Sequence, residues 1–165
     1  MTASAHSSDL DALLRSSATV AGGFLGNDGR AVHDIIAADA ADLARLGYSR
    51  EQVAARMAEM TAQARPAQGA TVRIDDYIDA RVDDTRGLLA CPWGCARPCL
   101  KSVTTVSRRG TDATISWSDL SVHMIGAHGF FQGHGSPFRL EPRDLINILL
   151  TGKEVSVVSH SDLDL

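Results

Sequence analysis

The chain has 165 residues, 44% of them hydrophobic and 22% charged, with a formal net charge of −4. That length allows one domain with its own core, and the acidic balance disfavours general polyanion binding. No apolar run reaches the ~18 residues that a membrane helix needs, and Met1 to Ser8 lack the basic start and apolar stretch of a secretion signal.

Residues 1–8 read as a disordered lead-in to a helical region, 9–66. Leu10, Leu13 and Leu14 share one face of a short first helix, expected from Asp9 to about Ala18, that is broken by the glycine-rich run Gly22 to Gly29. Val32, Ile35, Ile36, Ala40, Leu43 and Leu46 follow helical spacing, and Gly47 is placed to terminate that second helix. Ser49 and Gln52 form a capping-box pattern that opens a third helix, with Val53, Met57 and Met60 on its buried face. The short break between the two predicts an antiparallel helical hairpin. Pro66 to Gly69 ends this part.

The pattern then changes to alternation, which predicts strands near 71–74, 80–82, 102–107 and 113–117. Arg109-Gly110-Thr111-Asp112 reads as the turn between the last two. Leu120 to His128 reads as a helix with Ser118 or Asp119 as N-cap and Gly129 as terminator. Pro142 opens a final helix through Leu145, Ile146 and Leu149, closed at Gly152. Residues 70–152 thus form an α+β region, 153–165 a tail with a possible edge strand (Val155, Val157, Val158), and the whole a single compact α+β domain. Its elements are an N-terminal helical hairpin, a small antiparallel sheet and a C-terminal helix.

The chemistry concentrates in residues 91–128. Cys91-Pro92-Trp93-Gly94-Cys95 sets two soft ligands on a tight turn, and His123 and His128 lie on one helix. Thiolate and imidazole together suit tetrahedral Zn²⁺. Residues five apart on an ideal helix lie about 140° out of register, and Gly126 and Gly129 ease a tightened last turn. Cys99 repeats the Cys-x₃-Cys spacing from Cys95, so it is an alternate ligand, as is His134. The three cysteines at equal spacing also leave open an iron–sulfur cluster with a histidine as fourth ligand. The plainer alternative is ordinary buried cysteines beside a helix with two surface histidines. Three cysteines would leave one over from any disulfide, so a reducing, cytoplasmic setting is expected.

Cys-x₃-Cys, a hairpin and Leu120-x₂-His123-x₄-His128 resemble a C2H2 zinc finger of the ββα type over about residues 91–129. Less specifically, the chain resembles bacterial-type α+β domains with such a finger embedded in a larger body. The resemblance implies Zn²⁺ bound by Cys91, Cys95, His123 and His128, with Leu120 in the small core. The chain departs from the family in spacing. A common finger has about twelve residues between the second Cys and the first His, and here 27 intervene, residues 96–122.

Other candidates are weaker. His134 and Arg139 flank a glycine-rich loop that could hold an anion or bring His134 to the metal as part of an open, hydrolytic site. The bland alternative is a turn with phenylalanines in the core. Asp75, Asp76, Asp79, Asp83 and Asp84 make an acidic strip without calcium-loop spacing. Arg97, Lys101, Arg108 and Arg109 form a basic stretch that could touch phosphate backbone or pair with that strip. No Gly-x₄-Gly-Lys-Ser/Thr or dinucleotide fingerprint occurs, so no nucleotide is expected. The expectation is a zinc-binding interaction or regulatory module. It would meet a protein partner or a second copy, with nucleic acid possible and no membrane. A small zinc hydrolase using His134, or a thiol redox sensor using Cys99, is the alternative.

Overall fold

The computed structural model describes residues 3–16 and 22–151. Among them lie five α-helices and a four-stranded antiparallel sheet in the order helices, strands, helices, the α+β arrangement that the alternating patterns imply.

Helix α1 spans Ala3–Arg15, so it begins inside the stretch expected to be a disordered lead-in and stops short of the expected end. Helix α2 (Val32–Leu46) ends at Gly47, whose φ of 81° suits glycine and whose N–H bonds back to Ala44. Helix α3 (Arg50–Ala64) starts at the Ser49–Gln52 capping box, with both reciprocal bonds formed. A 3₁₀ turn, Arg65–Ala67, leads into the sheet.

The strands are β1 (Val72–Arg73), β2 (Ile78–Leu89), β3 (Cys99–Arg108) and β4 (Thr114–Ser118), in the order β1-β2-β3-β4. Strand β2 is far longer than its short alternating core predicts. It runs on past a register shift between Asp84 and Leu88 to pair Leu88 with Leu100 and Leu89 with Cys99. Gly87, at φ 121°, supplies the backbone for that irregularity. The β3–β4 turn falls at the predicted Arg109–Asp112. Helix α4 (Asp119–His128) follows β4 directly, capped by Ser118, and α5 (Pro142–Leu149) carries Pro142 in its first turn. The tail 153–165 and Gly152, the expected end of the last helix, lie outside the described residues.

Two apolar cores result. The larger packs one sheet face (Ile78, Val82, Val106, Trp117) against α3, α4 and α5. It contains a polar ladder: Trp117 Nε1 donates to Thr61 Oγ1 at 3.0 Å, and Thr61 and Thr104 hydroxyls meet at 2.7 Å. The opposite sheet face carries hydroxyl pairs, Thr105 with Ser116 at 3.0 Å and Ser107 with Thr114 at 3.4 Å. The smaller core joins Leu14 of α1, Phe24 and Leu25 of the glycine-rich loop, Ile35 of α2, Met124 of α4 and Phe130. Cys91 belongs to it, with Trp93, Cys95 and Cys99 packed alongside.

The segments around that core are clamped by ion pairs that periodicity does not reveal. On α2 the inward position is Asp39, not the expected Ala40, which is exposed. Asp39 accepts from Arg139 at 2.8 and 3.0 Å, with both side chains almost wholly buried. Asp28 likewise receives the Arg30 guanidinium and the His134 main-chain N–H. Gly133 lies so close to Leu25 that a Cβ there would sit 2.3 Å from its carbonyl oxygen. The loop 129–141 is therefore tied to α2 and to the glycine-rich loop.

Candidate metal centre

The long β2–β3 hairpin places its connecting loop, residues 90–98, over α4. Cys91, Pro92, Trp93 and Gly94 turn sharply, with the Gly94 N–H bonded to the Cys91 carbonyl at 2.9 Å. Gly94 adopts φ 78°, which allows the turn to close. Cys91 and Cys95 thereby come to one side, facing the C-terminal half of α4.

There the structure brings together Cys91, Cys95, His123 and His128, one donor atom from each lying within 4.8 Å of all the others. His128 Nε2 is 3.4 Å from Cys91 Sγ and 3.4 Å from Cys95 Sγ. A four-coordinate ion with metal–sulfur bonds of about 2.3 Å and metal–nitrogen bonds of about 2.0 Å sets donor–donor edges of about 3.3–3.8 Å. The two sulfur–nitrogen edges fit that figure. His123 Nε2 is buried and, among the described residues, has no hydrogen-bond partner. A buried imidazole nitrogen without a partner is disfavoured by about 1–3 kcal/mol, so this orphan atom is itself a sign of an absent ligand. The group can hold a metal ion.

The surroundings orient the donors. The Trp93 ring stacks on His128, centroids 4.3 Å apart and planes 7° from parallel, and meets Phe130 edge-on at 5.3 Å. Trp93 thus fixes the plane of one imidazole, its rotation about the Cβ–Cγ bond. Burial, then the neighbouring His123 and Arg50, push the His128 pKa down, which keeps the ring neutral with a lone pair to donate. Burial pushes the Cys91 thiol up. A metal must displace its proton, so binding is opposed as pH falls.

The arrangement differs from a ββα finger in a way that explains its long spacer. In place of one returning strand before the helix, two intervene, β3 and β4, joined by the 109–112 turn. The knuckle and α4 still face each other because α4 packs back across β3.

The alternates are placed elsewhere. Cys99 opens β3 in the same apolar cluster but is not one of the four converging donors. Burial, then Asp119 and Cys95, push its thiol up. His134 is exposed, its ring 3.7 Å from Glu141, and it does not join the group. The proposed basic set divides. Arg97 and Lys101 are exposed beside the knuckle. Arg108 lies at the other end of β3, donating to the carbonyls of Asn147, Ile148 and Thr151 at the end of α5 and sitting over Tyr77. Arg109 is paired with Asp79 at 3.0 Å. The acidic strip is likewise neutralised: Asp75 by Arg56, Asp76 by Arg73, Asp83 by Arg81 and Asp84 by Arg65.

The Trp93 stack has only one sequence signal, a tryptophan two residues after a cysteine, and spacing alone does not pair it with His128. The Asp39–Arg139 pair left no local signal, since its partners are a hundred residues apart.

The chain is an α+β protein with a Cys₂His₂ group able to bind a metal. Compared with protein-family models, curated proteins and solved structures, it finds no match. No helix among the described residues is long and apolar enough to cross a membrane.

Proposed function

We propose that this chain is a zinc-binding interaction or regulatory module whose metal is structural. The observation that carries the reading is the four-donor group with its orphaned His123 Nε2. Two thiolates and two imidazoles favour Zn²⁺ over harder cations, and a set in which protein fills all four positions suits a structural rather than a catalytic ion. Bound there, the ion would tie the β2–β3 loop to α4 and hold both against α1 and α2 through the smaller core. With two thiolates the Zn²⁺ site is neutral, so it adds no charge for recruiting anions.

A hydrolase is less well supported, because its open position needed His134 at the metal and that ring lies by Glu141. A phosphate-backbone interface is weakened by the pairing of Arg108 and Arg109. The partner we favour is a polypeptide, another protein or a second copy, in a reducing compartment such as the cytoplasm, where three free thiols persist.

Cobalt substitution tests the reading. Full-length protein reconstituted with Co²⁺ should show the intense visible bands of a tetrahedral ion and near-ultraviolet sulfur-to-metal charge transfer from two thiolates. His123→Ala should weaken the tetrahedral bands, while Cys99→Ser should leave them intact. A pale octahedral spectrum, or one that needs Cys99, would refute the assignment.

A further inference from the structure

The β2–β3 hairpin has an unusual surface over residues 85–101. Among the described residues, the only arginines or lysines whose side chains make neither a hydrogen bond nor an ion pair are Arg86, Arg97, Lys101 and Arg143. Three of these four lie on this arm. No Asp or Glu occurs from residue 85 to residue 111, so nothing on the arm offsets them. Two of the exposed large hydrophobics, Leu88 and Leu100, are also here, as register partners on β2 and β3. Lys101 is the next residue after Leu100 and so points to the other side of the strand. Its side chain runs past Gly87, where a Cβ would meet Lys101 Cδ at 3.7 Å.

The edge itself is open. Strand β1 pairs with β2 only at Asp79 and Ala80, and no described strand pairs with that side of β2 further along. Unpaired N–H and C=O groups on a strand edge accept another polypeptide strand. Three cations alone would suit any polyanion. The exposed leucine pair and the open backbone edge are what favour a peptide strand over nucleic acid. That strand should be extended, with leucine alternating with carboxylate.

The chain contains such a sequence, Asp162-Leu163-Asp164-Leu165. In an extended conformation its two leucines fall on one side and its two carboxylates on the other. That matches Leu88 and Leu100 on one side of the arm and Lys101 on the other. The reach is sufficient. Arg108 holds the Thr151 carbonyl at 2.7 Å, and the eight residues from Arg108 back to Leu100 span about 26 Å of strand. Residues 152–161 can cover about 33–36 Å when extended.

We propose that the outer edge of the β2–β3 arm, with Leu88, Leu100, Arg86 and Lys101, is a strand-docking surface whose occupant is the chain's own segment Asp162–Leu165. The proposal deepens the interaction-module reading and rests on it: the surface is one that a competing acidic, leucine-bearing strand would have to displace this segment to reach.

Lys101 and Lys153 are the only lysines in the chain, so a zero-length carbodiimide cross-link reports on Lys101 directly. Full-length protein, with its metal content measured beforehand, is treated with carbodiimide, and the monomer band is digested and mapped by mass spectrometry. A bond from Lys101 Nζ to the carboxylate of Asp162 or Asp164 is expected, suppressed by high salt. Leu163→Ser with Leu165→Ser should lower its yield about tenfold, the size expected for losing two partly buried leucines. Lys101 that accepts an acetylating reagent but gives no tail cross-link overturns the proposal. So does a yield unchanged by the leucine substitutions, or a cross-link found only in dimers. Because the metal is assayed first, each of these failures leaves the zinc reading standing, whereas protein without metal would fail that reading instead.

Discussion

Replacing Trp93 by leucine should weaken metal binding without unfolding the protein. The indole lies parallel to the His128 ring at 4.3 Å and meets Phe130 edge-on at 5.3 Å. Aromatic pairs of these geometries contribute about 0.5–1.5 kcal/mol each beyond their buried area, so about 1–3 kcal/mol is at stake. Leucine fills part of the volume but does not hold the imidazole plane. His128 would then sample rotamers that carry Nε2 away from the two sulfurs, and the free energy of reorienting it would be taken from metal affinity. A loss of 1–3 kcal/mol corresponds to about five- to 150-fold in dissociation constant, and loss of groups that orient metal-ligating imidazoles typically weakens affinity 10–100-fold. Competition with a chromophoric chelator measures the change, and far-ultraviolet circular dichroism checks the fold. Affinity within twofold of the parent would refute the orienting role of Trp93.

Other expectations concern the struts around the centre. Arg139→Ala leaves the Asp39 carboxylate, 3% exposed, without its guanidinium, and should cost about 3–5 kcal/mol. The urea midpoint should fall with an unchanged slope, while Asp39→Leu with Arg139→Met should recover most of the loss; a single-variant loss below about 1 kcal/mol would contradict the pairing. Arg30, helped by the N–H groups of His134 and Arg30, holds the Asp28 carboxyl well below the usual carboxylate range against the opposing effect of burial. Its folded pKa is depressed, so its contribution is present above the unfolded value of about 3.9 and is lost as pH falls from there toward the folded value. Chemical denaturation at pH 6 and pH 3 should therefore show a smaller drop for Asp28→Asn than for the parent, and equal drops would count against the assignment. Leu14→Ala should cost about 2–5 kcal/mol, because Leu14 is the fully buried anchor of α1 in the smaller core; an unchanged thermal midpoint would mean that α1 contributes little.

Local patterns carried the information wherever one element answers to its own residues. The Ser49–Gln52 box, Gly47 and Pro142 mark helix ends because capping is a matter of a few adjacent groups. Cys91, Cys95, His123 and His128 were legible as candidate ligands because soft donors at short spacing are rare in surface loops. What the residues did not disclose depends on pairing across the fold. Nothing local marks Asp39 as inward, since Arg139 is what makes its burial tolerable. The extension of β2 through Asp84–Leu88 escapes an alternation test because those residues are all exposed and are ordered by β3 across a register shift. The N-terminal stretch to Ser8 looks polar enough for disorder, yet residues 3–8 continue the helix that Leu10 and Leu14 anchor. Arg108 and Arg109 look alike in the sequence, but one caps the end of α5 and the other neutralises Asp79.

The most direct test of the central claim is elemental analysis of the full chain purified anaerobically without added metal. The account predicts about one zinc per chain, lost on Cys91→Ser or His123→Ala and retained on Cys99→Ser or His134→Ala. Folded protein without metal, or iron with labile sulfide that depends on Cys99, would contradict it.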